Sequence, residues 1–181
     1  RAMDDLVRQG KVRYIGCSNF AAWRVVEAQW TARHFNLHNL VSCQDQYSLL
    51  NRTPEVDRIP VMRSYGLGLI PYSPLASGML SGEYQRNAPL PSGTRMALAG
   101  KEYVQRRMTD KNWDKVEALQ AFATQRGHSV LELALSWLAA QSIVPSIIAG
   151  ATKPEHLEAN VKGVEWQLTA EDLAEIDKIT V

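Results

Sequence analysis

Apolar residues along this chain follow two alternating periods. Short apolar or β-branched runs stand at Val12 to Gly16 (VRYIG), Leu40 to Gln44 (LVSCQ), Leu67 to Tyr72 (LGLIPY) and Ile143 to Ala149 (IVPSIIA), and each predicts a strand. Between and after them, apolar residues recur three and four positions apart, the spacing of an amphipathic helix. The first helix is expected over roughly 20–33, with Ser18 and Asn19 capping its start and Trp23, Val26 and Trp30 facing the core. Thr53 and Pro54 open a second, carrying Val56, Ile59, Met62 and Tyr65, which Pro60 should bend or interrupt and Gly66 should end. Helical spacing returns over 112–126 (Trp113, Val116, Leu119, Phe122) and 129–141 (Val130, Leu133, Ala134, Trp137), divided by Gly127. Pro154 opens another helix and Thr169 caps a last one.

Four strands, each followed by helix and none joined by a hairpin signal, mean parallel strands in an α/β fold. Ile143 to Ala149 is apolar throughout, as expected of a parallel strand covered on both faces. Alternation by itself leaves open whether the sheet is open or part of a closed barrel. From 73 to about 111 the periodicity fades into residues rich in Gly, Pro, Ser, Asn and Arg. A loop of that length in a compact domain is expected to be functional, a lid or a binding segment.

Composition narrows the class of function. The chain has 181 residues, 45% hydrophobic and 22% charged, which is ordinary globular composition. With 20 Lys and Arg against 19 Asp and Glu, and the basic residues scattered, there is no electrostatic footprint for nucleic acid or an anionic membrane. No apolar run is long enough for a membrane span. Cys17 and Cys43 lie in strand-like contexts without a CxxC pair, so they read as structural thiols in a reducing cytoplasm. His34, His38 and His128 form no metal-ligand spacing. The chain opens on Arg1, and Ala2, Leu6 and Val7 before Gly10 read as the last turns of a helix. The sequence is therefore expected to begin partway through a longer chain, with no signal peptide.

In parallel α/β proteins ligands bind beyond the carboxyl ends of the strands. Ser18 and Asn19 follow the first strand, with donors and acceptors able to bracket a planar amide; helix capping is the plainer alternative. Gln44 ends the second, ahead of Asp45, Gln46 and Tyr47, and gives no sign of paired acid/base chemistry. The third leads into Tyr72, Ser73, Pro74, Leu75, Ala76, Ser77 and Gly78. An aromatic there can stack on a flat ring, and a small-residue turn lets backbone N–H groups approach phosphate oxygens. The fourth leads through Gly150, Ala151, Thr152 and Lys153 into a helix start carrying His156, where an anion would be favoured.

These segments resemble the aldo-keto reductases. Gly10 to Phe20 (GKVRYIGCSNF), then Gln44, then YSPLASGMLSGEY (72–84), then GATKPEHLEAN (150–160) match that family in order and spacing over essentially the whole chain. The resemblance implies the C-terminal half of a (β/α)₈ TIM barrel, its strands five to eight, that binds NADPH and reduces aldehydes or ketones. It implies that Ser18, Asn19 and Gln44 hold the nicotinamide carboxamide and that Tyr72 stacks on the ring. Ser73, Pro74, Leu75, Ser77 and Gly78 would line the pyrophosphate, and Arg95 would fold over the cofactor. Gly150, Thr152, Lys153, His156 and Asn160 would surround the adenosine and its 2′-phosphate.

Glu83 stands where many members of that family carry lysine, His156 where Arg or Gln is frequent, and Ala159 where Glu is frequent. An acid near the phosphates weakens the preference for NADP and leaves NAD open. The family's catalytic Asp, Tyr, Lys and His lie on its first four strand ends, and nothing in these residues corresponds to them. The chain alone is therefore expected to be inactive, to have no catalytic residue and to expose the inner faces of its strands. The sequence also fits a non-enzymatic nucleotide-binding subunit of the potassium-channel β-subunit type, or a phosphate-binding barrel enzyme of another reaction class. Substrate and oligomeric state are not legible in it.

Overall fold

A computed structural model describes residues 1 to 181. Helix α1 (Ala2–Arg8) precedes a turn in which Gly10 takes φ of +69°. Strand β1 (Ile15–Ser18) then leads to α2 (Ala22–His34), β2 (Leu40–Gln46), a 3₁₀ turn (Thr53–Glu55), α3 (Arg58–Tyr65) and β3 (Gly68–Tyr72). The strands are parallel in the order β1-β2-β3, with Cys17 beside Cys43 and Gln44 beside Ile70. The fold is therefore α/β with a parallel sheet, as the alternation indicated. Pro60 falls in the first turn of α3, where its missing N–H is not needed. The break the sequence suggested lies just ahead, between the 3₁₀ turn and α3, and leaves Val56 exposed.

Beyond β3 the long irregular stretch contains two short helices, α4 (Arg95–Leu98) and α5 (Lys101–Arg107). They lead into α6 (Asp110–Gln125) and α7 (Val130–Ala139), whose buried residues include every apolar position expected of them. Helix α8 (Pro154–Lys162) begins at its proline, and α9 (Ala170–Thr180) begins at Thr169, which forms a reciprocal cap with Asp172.

The expected fourth strand is only partly paired. Ile143 to Ala149 runs beside β3 through an Ile143 carbonyl that accepts from Leu69 (2.8 Å), an Ile148 N–H that donates to Pro71 (2.9 Å) and one bridge between Tyr72 and Ile148. Pro145 in its middle has no N–H to give. Pro145, Ser146 and Ile148 are exposed, so this segment is not covered on both faces as its apolar run implied.

The two faces of the sheet differ. Cys43, Asp45 and Leu69 point into the layer of helices and are almost fully buried. Gly16, Ser42 and Gly68 form a row of minimal side chains on the other face. A Cβ on Gly16 would stand 2.5 Å from Ser42 Oγ, and one on Gly68 would stand 2.9 Å from Pro145 Cγ. Above that row Ser18 is exposed, and Gln44, Gln46, Ile70 and Tyr72 are half-buried.

Helix α2 lies opposite to expectation. Its buried residues are Val25, Gln29 and Ala32, while Trp23 and Trp30 are each 61% exposed. The Gln29 side chain accepts from the Leu40 N–H and donates to the Leu40 carbonyl, both at 3.1 Å. That clamp on the start of β2 fixes the rotation of the helix, and a buried amide is invisible to a hydrophobic count.

Candidate functional site at the strand ends

The carboxyl ends of the strands carry a continuous run of hydrogen-bonded side chains. The Tyr72 hydroxyl donates to Asn19 Oδ1 at 2.9 Å, Asn19 Nδ2 donates to Ser18 Oγ at 3.0 Å, and Ser18 Oγ donates to Gln44 Oε1 at 3.4 Å. The Asn19 backbone N–H also donates to the Gln44 carbonyl at 2.9 Å. Asn19 sits at φ of +56°, a left-handed conformation that asparagine tolerates better than most residues. It turns the chain off β1 so that its amide faces Tyr72.

Helix capping, the plainer sequence explanation of Ser18 and Asn19, is overturned. Ser18 lies inside β1, and the N-cap of α2 is Ala21, with no side-chain cap. Both polar side chains are committed to the strand-end run, where amide and hydroxyl groups match the donor and acceptor pattern of a planar carboxamide.

The turn after β3 is left-handed at several residues. Ser73, Ala76, Ser77 and Gly78 have φ of +52°, +47°, +62° and +95°. Gly78 meets a second demand, because a Cβ there would approach Tyr84 Cε2 to 2.8 Å. Tyr84 is buried, and its hydroxyl accepts from the Met96 N–H at 3.2 Å. That bond and the buried Met96 hold α4, and with it the exposed Arg95, against the turn. Pro74 and Ser77 are buried, and Leu75 is half-buried.

The long stretch also supplies groups that sequence reasoning missed. Ser77 Oγ and the Tyr103 hydroxyl share a hydrogen bond of 2.7 Å. That bond, and then the Arg107 and Arg95 charges, hold the Tyr103 phenol below its ordinary value. With its amide oxygen turned toward Arg107, Gln46 accepts from both terminal guanidinium nitrogens, at 2.6 and 3.1 Å. Helix α5 is thus tied over the end of the sheet. Nothing in an aperiodic stretch marked Tyr103 or Arg107, and Gln46 sits two residues past the expected end of its strand.

The segment 150–160 forms a second cluster beside the first. Ile148 bridges Tyr72, which brings Gly150, Thr152 and Lys153 alongside the turn after β3. All three are exposed. Asn160 is buried and donates to the Gly150 carbonyl at 3.3 Å, and Thr152 Oγ1 lies 3.4 Å from His156 Nδ1. Lys153 is the N-cap of α8. No three His, Cys, Asp or Glu side chains gather as a metal site. No helix is long and apolar enough to cross a membrane.

A parallel α/β sheet with polar side chains linked across its carboxyl ends has the architecture in which ligands bind at the strand ends. The chain belongs to the aldo/keto reductase family, whose sequence profile matches residues 1–181. Among curated relatives it is 35% identical to the uncharacterized oxidoreductase YrpG of Bacillus subtilis, over 98% of this chain and 52% of that protein. It is 37% identical to a Schizosaccharomyces pombe protein named for a voltage-gated potassium channel β-subunit, over 99% of this chain and 53% of that protein. It is 32% identical to the L-glyceraldehyde 3-phosphate reductase of Escherichia coli K12, over 98% and 52%. The chain spans about half the length of the curated relatives it matches.

Proposed function

We infer that these residues form the C-terminal half of a (β/α)₈ barrel and carry much of the nucleotide grip of an oxidoreductase. The full-length protein, cytoplasmic on this reading, reduces aldehydes or ketones to alcohols with NADPH. The observation that carries this reading is the hydrogen-bonded run from Tyr72 through Asn19 and Ser18 to Gln44, lying beside an open sheet face.

The residues present suit a nicotinamide nucleotide. Ser18, Asn19 and Gln44 offer both donors and acceptors to a carboxamide, and the half-buried Tyr72 ring offers a flat apolar surface. The turn from Ser73 to Gly78 and the Arg95 guanidinium border the path of a pyrophosphate. Gly150, Thr152, Lys153, His156 and Asn160 stand where an adenosine and its phosphate would follow. When bound, the nicotinamide supplies the hydride. This chain's residues orient the ring and hold the nucleotide extended, and the proton donor comes from elsewhere in the whole protein. Lys153 favours a 2′-phosphate, whereas Glu83 in place of a lysine keeps NAD as an alternative.

Titration of the full-length protein with NADPH and with NADH tests this, read as quenching of tryptophan fluorescence. Saturable binding is expected; its absence for both nucleotides overturns the reading. Reduction of a panel of small aldehydes and ketones by the same protein supports the enzyme. The 37% identity to the channel β-subunit relative favours a second reading, a nucleotide-binding subunit, which tight binding without turnover would select. The isolated chain should show no NADPH-dependent carbonyl reduction.

A further inference from the structure

Cys17 and Cys43 occupy the same register position on neighbouring strands, and their sulfurs are 3.5 Å apart with no bond between them. Register partners on adjacent strands lie about 5 Å apart, inside the Cα window of roughly 4.4–6.8 Å that a disulfide spans. The sulfurs need approach by only about 1.5 Å to reach bonding distance. Access to them is unequal. Cys17 is half-buried, whereas Cys43 is 1% exposed in the core.

We propose that Cys17 and Cys43 form a peroxide-sensitive thiol pair, closing to a reversible disulfide that alters the strand ends holding Ser18, Asn19 and Gln44. The residue after Cys17 is Ser18 and the residue after Cys43 is Gln44, whose side chains are hydrogen-bonded to each other on the far side of the same two strands. Drawing the sulfurs together pulls on the backbone directly behind that contact. The functional half of the proposal rests on the nucleotide-site reading above; the bond itself does not.

The chemistry balances with a hydroperoxide as oxidant. The Cys17 thiolate attacks one peroxide oxygen, the O–O bond breaks, and the departing oxygen takes a proton, leaving a sulfenic acid. The Cys43 sulfur then attacks that sulfur. The S–O bond breaks, and hydroxide leaves as water with the Cys43 proton. Two electrons pass from the thiol pair to the peroxide. The hydrogen bond between the two sulfurs holds Cys17 below the ordinary thiol value, which favours Cys17 as first attacker. The hydrogen bond to Cys17, and then burial, push Cys43 up. Cys17, half-buried where Cys43 is enclosed, is the sulfur a reducing thiolate reaches first.

The experiment treats the folded full-length protein with one equivalent of hydrogen peroxide, then blocks free thiols and maps peptides by mass. A linked peptide pair holding Cys17 and Cys43, lighter by two hydrogens and restored by dithiothreitol, is expected. Cys43→Ser should instead trap an oxidised Cys17. Retention of both thiols, or oxidation of Cys17 to sulfinic acid without linkage, overturns the pair. NADPH affinity is then measured on the linked and the reduced protein. A several-fold loss on linkage, reversed by reductant and absent from Cys43→Ser, supports the coupling. Linkage with unchanged affinity overturns the coupling alone, and a reduced protein that binds no nucleotide fails the site reading instead.

Discussion

The Tyr72 hydroxyl donates to the side-chain oxygen of Asn19 at 2.9 Å, joining residues that are 53 positions apart. Tyr72 ends β3 and Asn19 follows β1, so the bond spans the intervening strand and ties the two strand ends together. It offers two separable contributions to ligand binding, a fixed amide and a positioned ring.

Substitution at Tyr72 should separate them. Tyr72→Phe keeps the ring and frees Asn19, a loss of about 1 kcal/mol or about fivefold in NADPH affinity. Tyr72→Ala removes the flat surface as well and should weaken binding by a further factor of about ten. Equal losses in the two variants, measured by fluorescence titration, would show that the ring contributes nothing.

The turn after β3 makes a glycine prediction with an internal control. Gly78→Ala meets both a φ of +95° and a contact of 2.8 Å with Tyr84. It should cost on the order of 2 kcal/mol and loosen the hold of α4 on the turn. Gly150 has nothing within 4 Å of a Cβ and no positive φ. Gly150→Ala should leave the thermal midpoint unchanged, and any loss of nucleotide affinity it causes then reports close approach of the ligand.

How much of this could be read in the sequence depends on where the fixing interactions lie. Strands β2 and β3 and helices α6 and α7 announce themselves because apolar spacing is what holds them, whereas β1 pairs over Ile15–Ser18, later than the run Val12 to Gly16 indicates, and leaves Arg13 and Tyr14 exposed. Residue type leaves Ser18 and Asn19 as helix caps and only the family resemblance groups them with Gln44 and Tyr72; neither shows that these side chains bond to one another. The apolar spacing of α2 points to the wrong face because a polar residue, Gln29, anchors its buried side. Tyr103 and Arg107 escaped because their positions depend on contacts with Ser77 and Gln46, not on any period along the chain.

Asp45 and Arg58 form an ion pair at 2.8 Å with the carboxylate almost wholly buried. Burial pushes the Asp45 carboxyl above its ordinary value, against the pull of Arg58. In the window between the unfolded and the raised folded value the native state holds more protons, so this group's contribution to stability falls as pH rises. Arg58→Ala leaves the buried charge unpaired and should cost about 3–5 kcal/mol near neutral pH. Because protonation relieves that charge, the deficit should shrink on acidification. Urea unfolding of both proteins at two pH values checks this; a deficit that grows with acid would contradict the assignment.

The most demanding prediction concerns the isolated 181-residue chain. Strand β1 has no partner on its outer side, and an unpaired strand edge is a template for association. Beside it runs a groove of about 490 Å³ whose lining includes Ile15, Phe20, Trp23, Leu37 and Leu40. At the opposite side, Val144, Ile147, Leu157 and Val161 border a second of about 460 Å³. Apolar surface at both margins, added to an open strand edge, favours contact between copies over a solitary monomer. Sedimentation of the isolated chain should show species that grow with concentration, and its unfolding midpoint should shift with concentration as well. A sharp monomeric transition independent of concentration would mean that the sheet margins need no cover, and the half-barrel reading would lose its physical basis.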